Sequence, residues 1–241
     1  MKVLVISDNV ALVTAFKQVA SSNEFNFATF DYKYSSINKS PEALQAMGMR
    51  EINVKKDYLS VIDNYELVFS AHCKQIFPAE LVETTTCINI HPGLNPYNRG
   101  WYPQVFSIIN GAPVGATVHL MDKEIDHGAI IAQKKVDVYQ QDTSLDVYER
   151  VQDAEIQLIQ EQLLQWLKGD YQSINLNDEG NYNGIEDFNA LCKLDLEQSG
   201  TLKEHINLLR ALSHGNFANA YFYNEQEEKV FINVQMRKDN S

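Results

Sequence analysis

The chain has 241 residues, 44% of them hydrophobic, and carries 20 Lys and Arg against 32 Asp and Glu, a formal net charge of −12. That length and apolar content suit one large domain or a domain with an appendage, and the acidity argues against nucleic acid as a bulk partner, because phosphate backbones need a basic face. No apolar run reaches the ~20 residues of a membrane-spanning helix, Met1-Lys2 leads into a strand pattern rather than a secretory signal, and Cys73, Cys87 and Cys192 are too scattered for a disulfide framework or zinc ribbon, so a cytoplasmic protein without a membrane partner is expected.

Residues 3–6 form a short β-branched run of the kind found in buried parallel strands, and residues 11–19 continue with helical periodicity. The turn between them, Ser7-Asp8-Asn9, lacks the Gly-x-Gly-x-x-Gly of dinucleotide binders, and Gly-x-x-x-x-Gly-Lys is absent from the sequence. Nicotinamide cofactors and ATP are therefore disfavoured. Asp8 and Asn9 read first as helix caps, although this loop lies where such sheets bind ligands, which keeps both as candidate substrate contacts.

Residues 25–30 are expected to be a second strand, while residues 32–49 are polar, tyrosine-bearing and without an assignable pattern. Leu67–Ala71 is another buried strand, continued by His72-Cys73-Lys74-Gln75-Ile76-Phe77 before a helix that starts at Pro78. By residue type alone, Lys74 and Gln75 are solvated and Phe77 is core. Residues 87–91 form the next strand, whose alternation puts Asn89 and His91 on one face. Pro92 and Gly93 end it at once, leaving an amide and an imidazole at a strand terminus, where α/β proteins place their chemistry. Alternating strands and helices up to this point predict an α/β fold, a mainly parallel twisted sheet with helices on both faces.

Pro103–Asn110 is a helix stopped by Gly111, and two strands follow at 116–122 and 129–138. Thr117, His119 and Met121 face one way on the first of them, and the intervening loop 123–128 offers Asp126, His127 and a relaxing Gly128. From Thr143, with Asp146 as a box-like cap, a long amphipathic helix runs to Gly169. Residues 175–183 are loop-like, and the domain edge is placed just after them, giving a catalytic domain over 1–185 and a C-terminal region over 186–241. That region is expected to hold a helix near 202–212, a Ser213-His214-Gly215 break and two strands, 218–223 and 229–235. A hairpin of this kind needs cover for its edge or apolar face, so a homodimer is expected.

An amide, an imidazole and a nearby carboxylate at the edge of an α/β sheet suit three kinds of machine. Metal binding by His91, His119 and Asp126 has no recognised ligand spacing, and no metal is expected. A Ser-His-Asp hydrolase wants a Gly-x-Ser-x-Gly elbow, which the sequence lacks. Acyl transfer to an external nucleophile needs donors for the tetrahedral oxyanion and a group to manage the proton of the attacking atom. Asn89 and His91 are suitable donors, and Asp126 can orient His91, favour its imidazolium or hold a proton-relaying water. The set suits transfer chemistry best.

Asn89-Ile90-His91-Pro92, Gly115-Ala116-Thr117-Val118-His119 and Asp126-His127-Gly128, in this order and at these separations, resemble the linked motifs of the formyltetrahydrofolate-dependent formyltransferases over roughly residues 1–170. The usual Pro-Ser-Leu after the family's histidine is Pro92-Gly93-Leu94 here, a departure that leaves the catalytic positions intact and points to a different acceptor pocket. The resemblance implies a Rossmann-like domain in which Asn89 and His91 stabilise the oxyanion and Asp126 positions groups or moves the proton. It also implies N10-formyltetrahydrofolate as co-substrate, its pterin held between Lys74, Gln75, Ile76 and Phe77 on one loop and Glu124, Ile125 and Asp126 on another.

Within the family, the run His91-Pro92-Gly93-Leu94-Asn95-Pro96-Tyr97-Asn98-Arg99-Gly100-Trp101-Tyr102-Pro103-Gln104 is similar to the sugar N-formyltransferases, which act on nucleotide-linked 4-amino-4,6-dideoxyglucose and have a short helix-and-hairpin tail often used for dimerisation and the nucleotide site. On that resemblance the acceptor is a dTDP-linked amino-dideoxy sugar, most similar to dTDP-4-amino-4,6-dideoxyglucose, made for O-antigen or other surface polysaccharide. Arg99 would meet its diphosphate, since a guanidinium matches phosphate oxygens in a bidentate way. Trp101, Tyr221 and Phe222 are candidates for stacking on thymine or sugar, and Asn95 and His119 join Asp8 and Asn9 as further substrate candidates. Tyr102 and Phe222 suit core or dimer packing equally well.

Two enzymes share the same core. A methionyl-tRNA formyltransferase would carry a basic RNA-binding tail, whereas from Thr201 onward Lys203, Arg210, Lys229, Arg237 and Lys238 are matched by Glu204, Glu225, Glu227, Glu228 and Asp239. A glycinamide ribonucleotide formyltransferase would have a Gly-rich first loop and no tail. A 3-amino acceptor stays open, and a folate- or nucleotide-binding protein without turnover is the non-enzymatic alternative.

Overall fold

The computed structural model describes residues 1–124, 126–176 and 178–239. In chain order the elements are β1 (Lys2–Ser7), α1 (Val10–Ala20), β2 (Thr29–Ser35), α2 (Glu42–Ala46), β3 (Arg50–Ile52), α3 (Val54–Asn64), β4 (Leu67–Ala71), α4 (Ala79–Thr84), β5 (Thr86–His91), β6 (Arg99–Gly100), α5 (Pro103–Asn110), β7 (Val114–Leu120), β8 (Ile130–Val136) and α6 (Ser144–Lys168). The chain continues through β9 (Tyr182–Asn183), α7 (Ile185–Cys192), α8 (Leu202–Leu212), β10 (Ser213–His214), β11 (Phe217–Ala218), β12 (Ala220–Tyr223) and β13 (Lys229–Ile232).

Seven strands make one sheet in the order β3-β2-β1-β4-β5-β7-β8. β1 to β5 pair in parallel, and β7 runs antiparallel to β5. This is the mainly parallel α/β architecture that the alternating pattern predicts. β1 and β4 can occupy its middle because their residues, apart from the exposed Lys2 at the start of β1, are apolar or small on both faces, so burial above and below strands no charge.

Backbone contacts divide the chain into two compact units. The first comprises Met1–Pro92, Ala116–Lys134 and Gln152–Glu179; the second comprises Gly93–Gly115, Lys135–Val151 and the chain from Gly180. In the first, Leu4, Ile6, Ile52, Val54, Val61, Val68, Phe77 and Leu81 pack in one core cluster, and Phe69 lies between the rings of Phe16 and Trp166 at 5.1 and 6.2 Å. In the second, Val105, Ile108, Val147, Val151, Phe188, Ala211, Leu212 and Ala220 form a core of their own. Burial pushes the Cys73 and Cys87 thiols up to about 12, so both pack as apolar groups rather than as nucleophiles. Among the described residues no helix is long and apolar enough to cross a membrane.

The expected strand at 25–30 is displaced. Asn23–Phe25 is a single 3-10 turn that buries the Phe25 ring, and the strand begins at Thr29, where it pairs with Lys2 and runs on to Ser35. The rest of the unassigned stretch contains α2. In the tail, the Ser213-His214-Gly215 break is a small hairpin, with β10 pairing β11, and α7 is an element the residue pattern did not announce. The cap of α6 is as read: the Thr143 backbone and hydroxyl both donate to Asp146 Oδ2, at 2.8 and 2.6 Å.

Candidate active site

The end of β5 is built by strand register. Antiparallel pairing with β7 sets Asn89 opposite His119 and His91 opposite Thr117, and directly opposed residues of such a pair bring their side chains together on one face. Asn89 Nδ2 donates to His119 Nε2 at 3.1 Å and to Asp126 Oδ1 at 3.2 Å. His119 donates from Nδ1 to the Leu120 carbonyl at 2.8 Å, so its Nε2 is the lone-pair nitrogen that accepts from Asn89. Turning the Asn89 amide over would set its oxygen against the Asp126 carboxylate, which fixes its orientation.

Asp126 enters this cluster from the loop between β7 and β8, with a left-handed backbone at φ 53°. Its partner in the motif, Gly128, lies against the Leu120 backbone so closely that a Cβ would overlap the carbonyl oxygen, so only glycine lets the loop fold back there. His91 Nδ1 and His119 Nε2 are each 3.6 Å from Asp126 Oδ1, with side-chain exposures of 6% for His91, 2% for His119 and 11% for Asp126. The His119 approach is no ion pair, because that nitrogen carries no proton. His91 is the imidazole that can supply counter-charge when protonated. The result is a carboxylate largely removed from water, faced by an amide donor and two imidazoles. Among the described residues no group of three His, Cys, Asp or Glu side chains has metal-holding geometry.

Of the other residues singled out in the first unit, Asn9 is the α1 cap, accepting from Leu12 N–H. Asp8 is not a cap: Oδ1 accepts from the Ser35 N–H and the Asn38 amide at 2.9 and 3.0 Å, and Oδ2 accepts from the Lys74 N–H at 3.1 Å. It ties three loops together. The Gln75 amide is not solvated either, since it accepts from Val54 N–H and donates to the Ile52 carbonyl at 2.9 and 2.8 Å. Phe77 is core, and Lys74, Ile76 and Glu124 are exposed. Ile125 lies outside the described residues.

In the second unit, Asn95 is buried, and Asn98 holds the segment that follows. Its Nδ2 donates to Ser107 Oγ at 2.9 Å, and its Oδ1 accepts from the amides of Asn110, Asn181 and Asn183 at 2.9, 2.6 and 3.3 Å. β6 thereby pairs with β9. Gly100 crosses at φ 92°, and a Cβ there would lie 2.6 Å from the Asn183 oxygen. Arg99 is half-buried; its Nε is buried without a hydrogen-bond partner, and it forms no ion pair among the described residues. Trp101 is exposed, whereas Tyr102 leans on Phe188 at 4.3 Å. Tyr221 already carries the Lys229 ammonium 3.6 Å over its ring, and Phe222 lines an open hollow of about 520 Å³ with Lys193, Leu196 and Tyr223. Residue spacing did not reveal Asn98, whose partners lie up to 85 residues away.

A model of the formyl transferase family matches residues 3–163, and one of the N-formyltransferase dimerization C-terminal domain matches residues 187–238. The dTDP-4-amino-4,6-dideoxyglucose formyltransferase of Mycobacterium tuberculosis is 39% identical over 239 residues, 99% of this chain and 98% of that one. A sugar N-formyltransferase from Shewanella sp. FDAARGOS_354 is 54% identical with a TM-score of 0.97, over 100% of this chain and 99% of its own. A 4-N formyltransferase from Francisella tularensis is 43% identical with a TM-score of 0.94, over 99% and 98%.

Proposed function

The chain belongs to the formyl transferase family, and from that premise we propose that it transfers the formyl group of N10-formyltetrahydrofolate to the amino group of a dTDP-linked amino-dideoxy sugar, dTDP-4-amino-4,6-dideoxyglucose above others. The observation that carries this reading is the cluster around Asp126 Oδ1, with Asn89 Nδ2 at 3.2 Å and His91 Nδ1 at 3.6 Å.

The neutral amine attacks the formyl carbon. A carbon–nitrogen bond forms, the bond from that carbon to the folate N10 breaks, and the proton lost by the amine ends on the departing nitrogen. Both Asn89 N–H groups are engaged, one with His119 Nε2 and one with Asp126 Oδ1. The developing oxyanion takes the Asn89 hydrogen that Asp126 holds, with His91 as second donor, and the carboxylate so released accepts the amine proton. His119 holds the Asn89 amide during the exchange.

Arg99, half-buried and without an ion pair among the described residues, supports recognition of the acceptor's diphosphate, with Asn95 and the exposed Trp101 as further acceptor contacts. We assign the folate to the loops carrying Lys74 to Phe77 and Glu124 to Asp126. Residues 1–185 act as the catalytic domain and residues 186–241 as the dimer-forming, nucleotide-facing region of a cytoplasmic homodimer serving surface polysaccharide synthesis. The named similarity of residues 187–238 to a dimerization domain supports the dimer.

The test is incubation with N10-formyltetrahydrofolate and a panel of dTDP-4-amino and dTDP-3-amino sugars, read by mass for one added formyl group. Product with the 4-amino-4,6-dideoxyglucose nucleotide is expected. No product with any sugar, alongside formylation of Met-tRNA or glycinamide ribonucleotide, would overturn the assignment.

A further inference from the structure

Glu155 lies on α6, and its carboxylate is fully buried, 0% exposed, in the first unit. Both of its oxygens meet His72 Nε2, at 2.8 and 2.9 Å. His72 is the first residue after β4 and holds a left-handed backbone at φ 56°, a conformation a non-glycine side chain adopts only when its surroundings impose it. Its other ring nitrogen, Nδ1, is 3.3 Å from Asn9 Nδ2.

These contacts leave His72 one tautomer. Asn9 Oδ1 accepts the Leu12 N–H at 3.1 Å to cap α1, so the amide cannot turn over and its Nδ2 must face His72. Nδ1 is then the lone-pair nitrogen, and Nε2–H donates to Glu155. Cap, imidazole and carboxylate thus form one directed chain linking the loop after β1, the loop after β4 and the middle of α6.

A buried carboxylate is a poor stabilising device. Burial raises the Glu155 carboxyl above the usual range, with His72 pulling it down, and packing apolar side chains in its place commonly costs nothing. What such a group gives is direction. The two residues after Cys73 are fixed as well: the Lys74 N–H is held by Asp8 and the Gln75 amide by Ile52 and Val54. A loop without regular structure is therefore clamped from three sides, which leaves the Ile76 side chain exposed and the Phe77 ring inside.

We infer that His72 and Glu155 are positioning residues that preset the loop from Cys73 to Phe77 for the folate, acting on capture of the formyl donor and not on transfer itself. The inference rests on the formyl-transfer reading above, in which that loop holds the folate.

The experiment uses the full-length protein and its Glu155→Gln and His72→Asn variants. Binding of 5-formyltetrahydrofolate, whose formyl group sits on N5 and not on the reacting N10, is measured by calorimetry, alongside steady-state kinetics with the sugar nucleotide and thermal melting. In Glu155→Gln, about a tenfold loss in folate affinity and a matching rise in donor KM are expected, with kcat at saturation and the sugar-nucleotide KM within about twofold of wild type. Wild-type folate affinity in a folded variant would overturn the inference, as would equal losses in donor KM, acceptor KM and kcat, which mark a general structural effect. If His72→Asn fails to fold, Glu155→Gln still decides. Wild-type protein that binds no folate and formylates no sugar overturns the parent reading instead, and that outcome is visible before any variant is compared.

Discussion

Asn89 and Asn98 each sit at the centre of a group of polar side chains, and the two groups differ in the chemistry of their partners. Around Asn98 every contact is between neutral amides, hydroxyls and backbone, and its amide oxygen accepts three hydrogen bonds while its nitrogen donates to Ser107. Around Asn89 the partners are an imidazole and a carboxylate, and two approaches to that carboxylate stop at 3.6 Å, beyond hydrogen-bond reach. A network of neutral amides and hydroxyls fixes backbone, while one built on an imidazole and a carboxylate can exchange a partner for substrate and carry a proton. The first is suited to holding a recognition segment, the second to chemistry.

That contrast can be broken experimentally, beginning where the effect is greatest. Asn89→Ala and His91→Asn are expected to lower turnover by about 10²–10³-fold each, as loss of an oxyanion donor does. Chemical denaturation should find both variants close to wild type in stability. Unfolding of Asn89→Ala would show that its cluster is structural after all. Asn98→Ala should behave in the opposite sense, losing about 2–3 kcal/mol because three amide donors and a hydroxyl lose their buried partner. Denaturant titration reads this directly, and unchanged stability would remove the distinction between the clusters.

Arg99→Lys keeps the charge but loses the planar fork, so the sugar-nucleotide KM should rise about tenfold with kcat unchanged. An unaltered KM would place the diphosphate elsewhere. The smallest effect concerns His214, which packs on Tyr148 and meets Ser144 Oγ at 3.2 Å. Burial holds its pKa below the usual imidazole range, with Glu149 pulling the other way. The folded state then binds fewer protons than the unfolded one, so this contribution is whole above the unfolded value of about 6.5 and is lost as pH falls toward the folded value. His214→Gln should flatten that part of a stability-against-pH curve, and an unchanged slope would discount the residue.

Local readings succeeded where the cause is local. The apolar runs at β1 and β4, the Gly111 stop after α5 and the Thr143–Asp146 cap are each decided within a few residues. They failed at residues 25–30, where Phe25 and Phe27 alternate as a strand would, but a 3-10 turn buries the first ring and sheet pairing begins only at Thr29. Asp8 read as a cap and became a tie between loops for the same reason, since its three donors come from Ser35, Asn38 and Lys74. One signal for the buried pair was present in the sequence. Glu155 lies four residues after Val151, three before Leu158 and four before Ile159, on the apolar face of α6, where an unpartnered carboxylate would be untenable.

By itself the sequence determined the α/β alternation and the shared face of Asn89 and His91, because side-chain alternation and turn signals act over a few residues of chain, while the class of chemistry came from the resemblance of three linked motifs to a known family. The tertiary structure alone decided which histidine opposes Asn89, that Asp126 meets Asn89 and His91, that His72 answers Glu155, and that Asn98 is held by Asn181 and Asn183. Those pairings depend on strand register and on contacts 30 to 85 residues apart in sequence, distances over which no local periodicity carries information.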